Sequence, residues 1–137
     1  MSSTISTHNA LIYAMVIAAV ADGRLKDSEL MTIGEFVQML PVFKGYNRDQ
    51  VRAAIADCTA LLDQEDGLGA VMGLIREAVP QRLAETAYVL ACDIVAVDGS
   101  APQEELRWLE MLRDGLGVER LHAAAIGKGS RARYMRG

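Results

Sequence analysis

The sequence predicts an all-α domain, a single compact bundle of about seven helices. Its apolar content is 51% while aromatics make up only 5%, a balance of Ala, Leu, Val, Ile and Met that favours helix over sheet. Apolar residues recur at three- and four-residue spacing, and no segment alternates convincingly with period two. At 137 residues the chain has the length of one domain, which excludes a multidomain enzyme and allows a core without disulfide or metal staples. With 23% charged residues and 15 Gly plus Pro, global disorder is excluded too.

The elements follow in order. Helix 1 is predicted from Ser6 to Ala21, with Ser6 or Thr7 capping it and Asp22-Gly23 as the stop. Helix 2 runs from Asp27 to Leu40 with Leu30, Ile33, Val37 and Leu40 on one stripe, and Pro41 ends it. After a loop through Gly45, Asn47 and Gln50 form a capping box for helix 3, whose apolar positions include Val51, Ile55, Cys58 and Leu62. The acidic turn Asp63 to Gly67 leads to helix 4, with Asp66 as its cap and Leu68, Val71, Met72 and Ile75 as its stripe. Pro80 fits the first turn of helix 5, which carries Leu83, Ala87, Leu90, Ala91 and Ile94 and stops at Asp98-Gly99. Pro102 opens helix 6, with Leu106, Leu109, Leu112 and Leu116 inward and Gly115 and Gly117 at its end. A short helix 7, Val118 to Ile126, completes a domain of residues 1–127. Residues 128–137 read as a basic, frayed C-terminal tail.

Charge divides the same way. The tail holds Lys128, Arg131, Arg133 and Arg136 and no acid, so the first 127 residues carry a net −8 beneath the overall −4. An acidic body repels phosphate, which argues against nucleic acid as a partner. The tail offers a peripheral contact for an anionic membrane surface, weak and screened by salt. Cys58 and Cys92 lack metal-ligand spacing and sit in apolar helical patterns, as buried reduced thiols do. The first nine residues have no Lys or Arg ahead of the apolar run Ala10 to Ala21, and that run is too short to span a bilayer. Together with the free thiols, this predicts a cytoplasmic protein.

One repeat carries the functional reading. Shifted by 76 residues, Asp22-Gly23-Arg24-Leu25-Lys26-Asp27-Ser28-Glu29-Leu30 falls on Asp98-Gly99-Ser100-Ala101-Pro102-Gln103-Glu104-Glu105-Leu106, with Asp, Gly, Glu and Leu shared. Helix 1–turn–helix 2 is echoed by helix 5–turn–helix 6, an internal duplication that predicts packing about a pseudo-twofold axis. Local physics alone accounts for these residues. Gly takes positive φ, the preceding Asp accepts from the turn's N–H groups, and Glu29 and Glu105 face the positive end of a helix dipole.

A second reading stands beside it. Asp-Gly-x-apolar-x-x-x-Glu resembles the latter part of the twelve-residue calcium loop, yet the first ligand positions would be Ala18 and Val20, or Ile94 and Ala96, which offer no side-chain oxygen. Each half is therefore incomplete, but two facing halves bring Asp22, Glu29, Asp98 and Glu105 together as hard oxygen ligands for Ca²⁺, Mg²⁺ or Mn²⁺. Four clustered carboxylates repel one another unless a cation or a shared proton offsets the charge.

Ala21-Asp22-Gly23-Arg24-Leu25 with Glu29, and Val97-Asp98-Gly99 with Glu105-Leu106-Arg107-Trp108-Leu109, resemble the two signature turns of the TerB-like family. That family includes tellurite-resistance TerB proteins and the N-terminal domain of certain membrane-anchored DnaJ-like co-chaperones. The resemblance covers Ala10 to Val118. It implies a fold of about seven helices, a non-enzymatic role in chemical-stress response, a protein partner, and a cation site at Asp22, Glu29, Asp98 and Glu105. Lys26 and Pro102 depart from the family pattern, standing where a capping Ser or Thr is usual.

Nothing in the residues predicts catalysis. His8 and His122 lie near opposite ends, without a nucleophile or carboxylate at catalytic spacing, and read as surface histidines. Gly127-Lys128-Gly129-Ser130 is only a fragment of a phosphate loop, with no strand before it. Met31, Met39, Met72 and Met111 at helical spacing read as core fillers or partner-facing edges. The alternative to a cation-binding module is a protein-interaction adaptor in which the acidic turns are purely structural.

Overall fold

Helix α1 (Thr7–Val20) forms the centre of the bundle, and its sequence explains why. Ser6 caps it, its hydroxyl accepting from the Asn9 N–H at 3.0 Å. From Ala10 to Ala19 every residue is buried, so each large aliphatic among them stabilises the fold by roughly 1.5–3 kcal/mol. Helices α2 to α6 all pack against it. In this computed structural model, residues 4–137 are described except 22, 98, 100 and 101. Among the described residues the regular structure consists of seven α-helices and three short 3-10 turns, with no strand, as the all-α reading predicted.

The remaining helices are α2 (Asp27–Met39), α3 (Val51–Leu62), α4 (Gly67–Ala78), α5 (Ala84–Val97), α6 (Gln103–Leu116) and α7 (Arg120–Arg133). The first turn of α1 fastens the connections around it. Thr7 donates to the Ala78 carbonyl at 2.8 Å, His8 Nε2 donates to Val42 O at 2.9 Å, and Tyr46 donates to Asn9 Oδ1 at 2.9 Å. His8 also packs edge-on against Tyr46, with ring centroids 5.3 Å apart. It is thus a half-buried joint of the fold, not the surface histidine the sequence suggested.

Several local expectations change. Leu30 and Leu106, placed inward by the spacing rule, are 39% and 50% exposed, while Glu29 and Glu105 are wholly buried. Helix α6 turns Glu105, Trp108, Leu112 and Leu116 inward, and Trp108 Nε1 donates to the Ala14 carbonyl of α1 at 3.1 Å. Leu68 of α4 is 38% exposed, while Val71, Met72 and Ile75 of its stripe are buried. Asn47 accepts from the Asp49 N–H at 2.9 Å and starts a 3-10 turn, Arg48–Gln50, before α3. Pro80 likewise opens a 3-10 turn, Gln81–Leu83, that leads into α5. Asp66 makes no capping bond and takes the left-handed conformation (φ 52°) instead. That conformation lets Gly67 approach α3, where an added Cβ would collide with the carbonyls of Leu61 and Leu62.

The largest difference lies at the C-terminus. Residues 128–133, expected in a frayed tail, continue α7. Ser130 on this segment is buried, and its hydroxyl donates to Asp93 Oδ1 on α5 at 2.6 Å. Arg133, one turn on, bonds Asp93 Oδ2 at 2.9 Å. Gly127 and Gly129 weaken the helix locally, and tertiary bonds to Asp93 override that weakness. No described helix is long and apolar enough to cross a membrane.

Candidate metal centre

Each repeat begins where a buried apolar helix must turn. Gly23 adopts φ +110° and Gly99 φ +79°, values that L side chains rarely adopt. The turns close with corresponding bonds: Gly23 N–H to Val20 O at 2.8 Å, and Gly99 N–H to Ala96 O at 3.0 Å. Beyond each turn the chain is extended at the residue before the helix, with φ/ψ of −86°/154° at Lys26 and −62°/157° at Pro102. The first helical bond then matches as well, Leu30 N–H to Lys26 O at 3.0 Å and Leu106 N–H to Pro102 O at 3.2 Å. The hairpins also engage each other: α1 rests on α5 and α6, and α5 rests on α1 and α2.

The glutamates are the chemical core of the two turns. Glu29 and Glu105 occupy the third position of α2 and α6, and both are 0% exposed. Burying a carboxylate is expensive unless hydrogen bonds or opposite charge offset the lost hydration. Glu29 Oε1 accepts from the Lys26 N–H at 3.0 Å, which is the carboxylate half of a capping box. Pro102 has no N–H, so the corresponding bond to Glu105 is chemically forbidden. Asp22 and Asp98, the other two residues predicted for the site, lie outside the described residues, as do Ser100 and Ala101. Among the described residues no three His, Cys, Asp or Glu side chains form a metal-holding group.

The chain's family is settled by comparison with family models, where residues 8–128 match that of the tellurite resistance protein TerB. The chain belongs to the TerB family. No curated protein and no solved structure matches it. In this TerB-family chain the match begins within α1 and ends within α7, so it takes in both Asp-Gly turns and both buried glutamates.

Other ionisable groups behave as their surroundings dictate. Cys58 and Cys92 are buried free thiols, pushed up to about 12 chiefly by loss of hydration. Asp93 is raised above the usual carboxylate value by burial, against the opposing pull of Ser130 and Arg133. His122 is exposed, as predicted, and contacts Glu85 at 2.8 Å and Glu119 at 3.3 Å. The Asp93–Ser130–Arg133 cluster escaped sequence reasoning. Its signal was a lone acid inside the apolar run Ala87 to Val97.

Proposed function

We propose that this TerB-family chain is a non-enzymatic cytoplasmic module of a tellurite-type stress response that binds a divalent cation through its duplicated acidic turns. The carrying observation is the complete burial of Glu29 and Glu105 at matching positions, while the neighbouring leucines Leu30 and Leu106 face solvent. Hydrophobic burial alone favours the opposite choice, because Leu gains from leaving water and a carboxylate loses. An inward carboxylate on each half therefore points to a positive group or donor set that rewards it.

In this reading Asp22, Glu29, Asp98 and Glu105 supply oxygen ligands, and the hardness of that set suits Ca²⁺, Mg²⁺ or Mn²⁺. The cation neutralises the turns and joins the two hairpins. Calorimetric titration with each ion tests the proposal, read beside the thermal shift on adding chelator. The expected result is saturable heat that Asp22→Asn plus Asp98→Asn abolishes, with loss of the cation-dependent stabilisation, RT ln(1 + [L]/Kd). Absence of heat for all three ions, with an unchanged melting temperature in chelator, refutes it.

The adaptor reading is favoured by one feature. Leu30 and Met31 stand exposed immediately after the first acidic turn, and Leu106 after the second. A protein partner docking on these residues needs no cation, and the same double substitution then changes stability equally with and without metal.

A further inference from the structure

Helices α6 and α7 both rest on α5 but scarcely meet each other. Between them lies a cavity of about 650 Å³, open to solvent on one side. Cys92 and Val95 of α5 form its floor, Leu109 lies on the α6 wall, and Ala124 and Gly127 keep the α7 wall thin. Burial holds the Cys92 thiol neutral, so the floor is apolar. The rim is not. Arg120, Arg131 and Glu110, all exposed, line it together with the half-buried Arg113. Arg113 is fixed there, its guanidinium bonding Val118 O at 3.1 Å and Glu110 Oε1 at 3.3 Å. Arg131 folds back along its helix, with Nη1 3.1 Å from where a Cβ on Gly127 would stand. Among the described residues no carboxylate lies within 4.0 Å of Arg120 or Arg131.

We propose that this cavity binds a single-chain amphiphile with an anionic head, its aliphatic chain between α6 and α7 and its head group on Arg120 and Arg131. An apolar slot with a few convergent polar groups is the usual form of a small-molecule site, and the volume lies within the roughly 300–1,000 Å³ such sites span. Cationic side chains gathered on a chain of net charge −4 select an anionic head, since guanidinium groups pair with carboxylate and phosphate alike. A docked protein helix fits less well. From Leu106 to Arg113 the α6 wall is only about 10 Å long at 1.5 Å per residue, too short for the roughly 800 Å² per partner of a stable interface.

Calorimetry on the full chain with decanoate, decyl phosphate and decanol, each below its micellar concentration, tests the inference. The two anions separate a carboxylate from a phosphate head, and decanol reports the chain alone. At least one anion is expected to bind saturably and roughly tenfold more tightly than decanol, as charge-assisted hydrogen bonds at the rim require. Arg120→Ala plus Arg131→Ala should erase that preference and leave decanol binding intact, while Ala124→Trp fills the slot and abolishes binding of all three. Equal binding of decanol and both anions overturns the proposal, as does the absence of saturable binding. Capture of an acidic amphipathic peptide helix, or dimerisation blocked by Ala124→Trp, with no amphiphile bound, also overturns it.

Discussion

Replacing Ser130 by Ala tests how α7 is held. The Ser130 hydroxyl donates to Asp93 Oδ1 at 2.6 Å, and both side chains are buried. A hydrogen bond to a buried carboxylate contributes about 1.5–3 kcal/mol, and its loss leaves the acceptor poorly solvated. Arg133 is different. Its side chain is 59% exposed, so water and salt screen its pairing with Asp93 and its truncation should cost no more than about 1 kcal/mol. The pH dependence carries a sign. Burial raises Asp93 above its unfolded value, so the folded state holds the proton to higher pH than the unfolded state. The stability this group contributes is full below the unfolded value and is lost as pH rises through the folded one. Ser130 lowers the folded value, so its removal raises it further and makes Ser130→Ala more damaging at pH 7 than at pH 4. Urea denaturation of Ser130→Ala and Arg133→Ala at both pH values measures this, with amide exchange along α7 separating local undocking from global loss. A smaller effect for Ser130→Ala than for Arg133→Ala at pH 7, or a larger one at pH 4, refutes the reasoning.

Four further outcomes are expected. Trp108→Phe keeps a large ring but removes the donor to Ala14 O, so urea unfolding should show a loss of about 1 kcal/mol. Gly67→Ala drives a methyl group into the Leu61 and Leu62 carbonyls and should lower stability by about 2 kcal/mol or more, because backbone atoms must shift to admit it. Cys58 and Cys92, with thiols pushed up to about 12, should resist a disulfide-exchange reagent at pH 8 until denaturant is added. Glu29→Gln retains an oxygen acceptor for the Lys26 N–H and removes the negative charge, so calorimetry should show weakened cation binding.

The elements were legible because their punctuation is chemical. Ser6 caps α1 and Gly117, at φ +70°, ends α6, each where the sequence pattern set it. Helix α1 was legible for another reason: a run of apolar residues with no polar face has to lie inside. Amphipathic spacing misled most where a polar residue moved inward. In α2 and α6 the leucines of the Glu-Leu pairs completed an apolar stripe, yet the glutamates took the buried positions. A one-residue rotation of a helix's inner face is invisible to periodicity when the deciding energy is electrostatic. The end of α7 was illegible for a related reason, since its partner Asp93 lies 37 residues before Ser130.

The two acidic turns match in backbone at Gly23 and Gly99 and at Lys26 and Pro102, and they differ in chemistry. At Lys26 the main chain supplies an N–H that occupies Glu29 Oε1, tying that carboxylate to the start of its own helix whether or not a ligand is present. At the matching position Pro102 supplies none, so Glu105 owes nothing to the residue that opens α6 although it is equally buried. A carboxylate engaged by the start of its own helix is a structural anchor there, whereas one without that bond has to be satisfied by other parts of the fold. The two turns therefore hold equally buried carboxylates by different means. Proline at the second turn then serves two ends. It fixes φ near the value a helix start requires, and it withholds the N–H that Lys26 gives to Glu29 in the first turn.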